Sequence, residues 1–239
     1  MLETAGCDRV ISVELQPAGA SQIDGFFALP VENLRATPIC VEHLSKLQLS
    51  RPVIVAPNEA TIPMASDVAA GLEVRTGASV GFAVTVESGP SRGTDRYVHR
   101  GPAVLAPEES RIELVGNVAG CDVVLVDQMV DTAGTMMRRV KLLKDAGARR
   151  VVAFATHGLF NSGALARITR SPISDVIVTN TVPLRDDVDV RHTHKLVQLS
   201  VAPLLSEAIL RAQMELSLQA LRTPSYASSN SSARYKGQE

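Results

Sequence analysis

Two carboxylates and a small-residue turn fall within one short stretch, VVLVDQMVDTAGT, at residues 123–135. In Asp131, Thr132, Ala133, Gly134 and Thr135 the small side chains let the backbone close tightly. Successive amides and the start of a helix then face one point, with two threonine hydroxyls as further donors. Such a cradle suits a phosphate. Asp127 and Asp131 stand on the approach to it, and acids are poor neighbours for a phosphate unless they hold something else, such as vicinal sugar hydroxyls or a magnesium ion. Phosphate beside polyol points to a sugar phosphate. The bland alternative is an ordinary strand-to-helix turn with solvated acids. Neither GxGxxG nor GxxxxGKS/T occurs, which argues against dinucleotide and Walker-type nucleotide binding.

A loop of this kind must hang from a rigid scaffold. The apolar run 123–126 predicts a buried strand with Asp127 at its carboxyl end, and Thr135 opens the next helix. That places the turn at the crevice where doubly wound sheets bind ligands. Further short apolar runs at 9–15 (RVISVEL), 52–56, 80–86, 151–156, 175–179 and 195–199 read as strands. Helical spacing at 38–47, 62–72, 135–146, 163–170 and 201–216 alternates with them, with Gly147 as a helix stop. This alternation predicts an α/β fold, a doubly wound, mainly parallel sheet covered on both faces. The polar, Gly/Pro-rich segment 87–109 reads as a long mobile loop, and residues 223–239 as a disordered tail. Met136 and Met137 read as core. His192 and His194 have no carboxylate or cysteine pattern nearby, so no metal is expected there.

Composition excludes several classes. Lys plus Arg (24) nearly balance Asp plus Glu (25), for a net charge of -1 over 239 residues, so neither nucleic acid nor an anionic membrane is an expected partner. No run approaches the length of a membrane span. No secretory leader is evident after Met1, and the cytoplasm is the expected location. Cys7, Cys40 and Cys121 are scattered and odd in number, which reads as buried free thiols. Few aromatics and no Trp predict an aliphatic interior.

With these residues in hand, the sequence resembles the ribose-phosphate pyrophosphokinase family, the phosphoribosyl pyrophosphate (PRPP) synthetases. VDQMVDTAGT resembles the family's VDDMxDTxGT with Gln128 in place of the second acid. ASQIDGFF (20–27), PVENLRATP (30–38), ATHGLF (155–160) and VTNTVP (178–183) match in order, and the likeness covers about residues 2–211. It implies a type I phosphoribosyltransferase-like domain at 34–205, a remnant of the amino-terminal synthetase domain at 1–33 and a carboxyl-terminal helix at 206–222. It also implies a role in nucleotide biosynthesis, with ribose 5-phosphate or PRPP held by Asp127, Asp131, Thr132, Ala133, Gly134 and Thr135. ATP is a candidate second substrate, Mg2+ the expected cofactor, and pyrophosphate transfer to the ribose C1 hydroxyl the family reaction. His157 and Gln16 would lie beside the nucleotide, although a lone histidine after a buried strand is more often a satisfied structural residue.

The chain departs from the family pattern where charge matters. ELQ (Glu14, Leu15, Gln16) stands for the family's DLH, leaving Glu14 and Asp127 as the candidate metal ligands. APNEAT (56–61) stands for SPDAGG, with Asn58 in place of an acid. No lysine occurs between Lys46 and Lys141, so the family's catalytic lysine has no counterpart. Arg92, Arg96, His99 and Arg100 read as solvated loop charges. Met1 aligns near the middle of a typical member. Val10, Ile11, Val13, Ile23, Phe26, Phe27, Leu204, Leu205 and Ile209 would then need each other or another subunit for cover. The expected protein is a degenerate, non-catalytic or regulatory subunit, in a homo-oligomer or with a full-length synthetase. The alternatives are an active ribose-phosphate diphosphokinase and a phosphoribosyltransferase that uses finished PRPP.

Overall fold

Branched aliphatic runs buried on both faces form the central strands here, and helices cover them. The computed structural model describes residues 1–15, 26–88, 111–184 and 194–222. Along the chain these form β1 (Val10–Val13), β2 (Val31–Leu34), α1 (Thr37–Ser45), β3 (Pro52–Ala56), α2 (Ile62–Thr76), β4 (Gly81–Ser88) and β5 (Arg111–Val115). They continue with β6 (Asp122–Val130), α3 (Gly134–Asp145), β7 (Arg150–Gly158), α4 (Ala164–Arg170), β8 (Asp175–Thr179), β9 (Leu196–Leu199) and α5 (Ala202–Gln213). Gln16, Ile23, His192, the loop cations at 92–100 and the tail from 223 lie outside the described residues.

The main sheet has seven strands in the order β5-β4-β3-β6-β7-β8-β9, parallel throughout except for the antiparallel β4–β5 pair at one edge. This is the α/β, mainly parallel architecture expected. Val123 and Leu125 of β6 share one core with Met136, Val140 and Leu143 of α3 and Ile168 of α4. Val124 and Val126 point the other way, into a core with Cys40, Val41 and Leu44 of α1 and Met64, Val68 and Leu72 of α2. Period-two alternation on one strand thus feeds both helical layers. Gly147, at φ +87, ends α3 as its sequence position predicts.

Several expectations need correction. The run 9–15 does form a strand, but β1 pairs in parallel with β2 as a separate two-stranded sheet. β2 and β5 were not foreseen, because VENL and RIELV are short and carry charge on an exposed or half-exposed face. The segment 87–109 does not begin as a loop, since Glu87 and Ser88 complete β4. Cys40 and Cys121 are buried free thiols, whereas Cys7 is only half-buried. Ile11, Val13, Leu204 and Leu205 do cover one another, in a third small core around Leu34, Ala208, Leu218 and Leu221. Phe26 and Ile209 stay 76% and 62% exposed.

The base of β6 is pinned at its other end. Asp122, fully buried, accepts from the Ser50 amide (2.9 Å) and from Arg149 Nε (2.8 Å), and Arg149 Nη2 closes the fork. Burial pushes the carboxyl up, but the Arg149 fork, the Ser50 amide and the Arg150 charge together hold it below the ordinary aspartate value.

Candidate functional site

The turn between β6 and α3 is the candidate site, and its strand runs further than the sequence suggested. β6 continues through Val130 because β7 is equally long and keeps pairing with it, Asp127 opposite Ala155, Met129 opposite His157 and Val130 opposite Gly158. Asp127 is therefore inside the ladder and not at the strand's end. By alternation from Val123 and Leu125 its side chain lies on the face towards α3. Gln128 itself is buried.

The two acids differ sharply in environment. Asp127 is half-buried, and its Oδ1 accepts from the Gln128 amide at 2.8 Å. Burial raises its pKa, against the pull of the Gln128 amide, the Arg139 guanidinium and the Met129 amide. Asp131 is exposed, and its Oδ1 accepts from Asn161 Nδ2 at 2.7 Å. Asn161 sits just past β7, whose end is tied to the turn because Val130 O accepts from the amides of Leu159 (2.8 Å) and Phe160 (3.3 Å).

The cradle itself is open. Ala133 takes the left-handed conformation at φ 60 and α3 begins at Gly134, one residue before the predicted start at Thr135. Thr132 and Thr135 are exposed and Gly134 half-exposed. The first-turn amides of a helix have no intrahelical acceptor, and no acidic side chain occupies the first turn of α3. Arg167 braces the turn from α4, donating to Thr132 O (2.9 Å) and Ser162 O (2.7 Å). The chemistry available is anion binding at a positive helix end, with one half-buried and one exposed carboxylate as hydroxyl acceptors.

The remaining candidates take structural contacts. Glu14 is buried at φ 50, and its Oε2 accepts from the Ala36 amide (2.9 Å) just ahead of α1. Burial raises its pKa, opposed by the Ala36 amide and by the charges of Arg35 and His157. His157 spends both ring nitrogens, Nδ1 with Thr181 Oγ1 (2.8 Å) and Nε2 with the Glu14 carbonyl (3.1 Å). Since a carbonyl only accepts, Nε2 carries a hydrogen. This joins the small sheet to the main one. Asn58 caps the 3-10 turn Glu59–Thr61, accepting from the Thr61 amide at 3.1 Å. His194 is exposed.

Magnesium, which the family resemblance implies, requires a convergent set of hard oxygens. No three Asp, Glu, His or Cys side chains converge among the described residues, and Glu14 and Asp127 are held as above. Among the described residues, this donor set does not by itself make a magnesium site.

Sequence reasoning missed Asn161, Arg167 and above all Arg139. Arg139 follows Met136 by three residues, which puts it on the sheet-facing side of α3, and it is buried. Its Nε donates to Thr85 Oγ1 (3.1 Å) and its Nη2 to Glu87 Oε2 (3.4 Å), at the end of β4. Burial lowers its pKa, and the carboxylates of Glu87 and Asp127 counter that. Arg138 Nη2 binds the other oxygen of Glu87 at 2.9 Å.

A profile of the phosphoribosyl synthetase-associated domain matches residues 83–222. The ribose-phosphate pyrophosphokinase of Aquifex aeolicus is 35% identical over 225 residues, covering 93% of this chain and 63% of that protein. The Ralstonia nicotianae protein of the same name is 35% identical over 211 residues, covering 88% and 59%. The crystal structure of phosphoribosylpyrophosphate synthetase from Mycobacterium smegmatis superposes with a TM-score of 0.66 at 31% identity, over 90% of this chain and 61% of that one. The chain spans less than two thirds of these relatives. No helix among the described residues is long and apolar enough to cross a membrane. From the profile, which takes in more than half of the sequence, and the fold it shares with the mycobacterial structure, the chain belongs to the phosphoribosyl synthetase family, that of the ribose-phosphate pyrophosphokinases.

Proposed function

We propose that the chain binds ribose 5-phosphate, or the ribose 5-phosphate part of PRPP, at residues 131–135, and does so as a non-catalytic or regulatory member of its family. The observation that carries the reading is the open start of α3: exposed Thr132 and Thr135 around a free helix end, flanked by Asp127 and by Asp131 held on Asn161. The phosphate sits on the first-turn amides, and the carboxylates of Asp127 and Asp131 accept from the ribose hydroxyls. What supports a non-catalytic role is the loss of charge around that sugar. Gln128 is a buried neutral amide where the family pattern has an acid, Asn58 is a turn cap, and no lysine lies between Lys46 and Lys141. Phosphoryl-type transfer depends on positioned cations. ATP and a full-length family member are the proposed further partners.

Two measurements test this. Calorimetric titration with ribose 5-phosphate should show binding that Asp131→Ala weakens by about tenfold or more, ~1.4 kcal/mol; undiminished binding in the variant removes the turn from the proposal. A coupled AMP-release assay with Mg-ATP and ribose 5-phosphate should show no turnover above background. Turnover of about 1 per second or more would make the chain an active diphosphokinase instead.

A further inference from the structure

The anion cradle is held in an uncommon shape, and the hold comes from α4. Ala133 is left-handed at φ 60 without being glycine, a conformation that persists only where the surroundings impose it. Arg167 supplies that constraint. Its Nη1 donates to Thr132 O at 2.9 Å and to Ser162 O at 2.7 Å, so one group clips the cradle to the turn after β7, where Ser162 is left-handed too at φ 49. We propose that Arg167 is a positioning residue: by holding the Thr132 carbonyl it aims the Ala133 amide at the bound phosphate. The proposal rests on the ribose-phosphate reading above and deepens it.

The peptide between Thr132 and Ala133 is trans, and in a planar trans peptide the C=O and N–H point in opposite directions. Fixing Thr132 O on Arg167 therefore turns the Ala133 N–H away from Arg167. That amide has no acceptor among the described residues, although Ala133 is only 5% exposed and belongs to the core under α3. So enclosed a residue seldom leaves its N–H unpaired. The Gly134 amide is barely engaged, at 3.5 Å from Thr132 Oγ1, and Thr135 lies in the first turn of α3, whose amides have no intrahelical acceptor. Successive amides around a left-handed residue form an anion-binding concavity. An oxyanion, the phosphate of the sugar, is the acceptor this set calls for.

Two titrations of the full chain with ribose 5-phosphate test this. By amide NMR of the wild type, the Ala133 resonance should shift together with those of Gly134 and Thr135. By calorimetry, Arg167→Met, a change at an exposed position, should lose about tenfold in affinity, because alanine leaves the left-handed region once released. In an Ala133→Gly background the same change should cost about twofold, since glycine takes positive φ about as readily as negative. An equal cost in the two backgrounds, or wild-type affinity in a folded Arg167→Met chain, overturns the positioning role. So does an Ala133 amide that stays still while Gly134 and Thr135 respond, and each of these leaves the ribose-phosphate reading standing. No binding to the wild type overturns that reading, and the inference with it. The NMR titration decides even if Arg167→Met does not fold.

Discussion

Gly158→Ala offers a sharp test of how the site is braced from behind. Gly158 ends β7 opposite Val130, and a methyl group there would lie 2.5 Å from Phe160 Cε2, 3.0 Å from Phe160 Cζ and 3.1 Å from Val178 Cγ1. Carbon atoms settle at about 3.5–4.0 Å, so the ring must retreat by roughly 1 Å. It has little room to do so, because Phe160 is 3% exposed and Val178 fully buried. Overpacking of this kind costs about 1–3 kcal/mol. The strain falls next to the candidate site, since the Phe160 amide binds Val130 O and the adjacent Asn161 holds Asp131. Urea unfolding followed by circular dichroism, suited to a chain without tryptophan, should show the loss in stability. Phe160→Leu removes the closest ring atoms and leaves only the 3.1 Å approach to Val178, so Gly158→Ala should cost clearly less in that background, a coupling of about 1 kcal/mol or more. An equal cost in both backgrounds would refute the steric argument, and unchanged ribose 5-phosphate affinity in Gly158→Ala would refute its link to the site.

Other perturbations probe charge. Asp122→Asn should destabilise by about 1–3 kcal/mol at neutral pH through loss of an ionised acceptor. Because the folded pKa lies below the ordinary 3.8, the wild-type advantage is present above that value and lost as pH falls through the folded one; acid unfolding of the pair should converge below about pH 4. Glu14 has the opposite sign: its folded pKa is raised above 4.5, so its contribution falls as pH rises from 4.5 through the folded value. Glu14→Gln keeps an acceptor for the Ala36 amide, so its melting temperature at neutral pH should equal or exceed that of wild type, and a fall of several degrees would contradict this. Asn161→Ala should weaken ribose 5-phosphate binding by about tenfold, ~1.4 kcal/mol, with stability within about 0.5 kcal/mol.

Strands buried on both faces were legible because continuous aliphatic runs such as PVIVA and DVIVT have no other stable place. RIELV escaped notice because an antiparallel edge strand with one wet face alternates polar and apolar residues, and its pairing with β4 is set across the long segment between them. β6 was cut short at Val126 because Asp127 and Gln128 read as loop, whereas the matching length of β7 carries the ladder on to Val130. The cradle at 131–135 was readable from small residues alone. Arg139 was not, since a charged residue in MMRRVKLL reads as a solvated helix face. Its contacts with Thr85 and Glu87, 54 and 52 positions away, bring it inside.

The parallel order of the main sheet also dictates when the site can exist. Every neighbouring pair except β4–β5 is parallel, and such pairs close only after a crossover has been traversed, which slows folding. Thr85 and Glu87, Asp127, Arg139 and Asn161 come from four separate segments that meet across β3, β6 and β7. A nascent chain still lacking β7 would have no Asn161 to hold Asp131. A sugar phosphate bound as proposed would therefore recognise only finished molecules, and at a hundredfold excess over its dissociation constant it would protect them by about 2.7 kcal/mol.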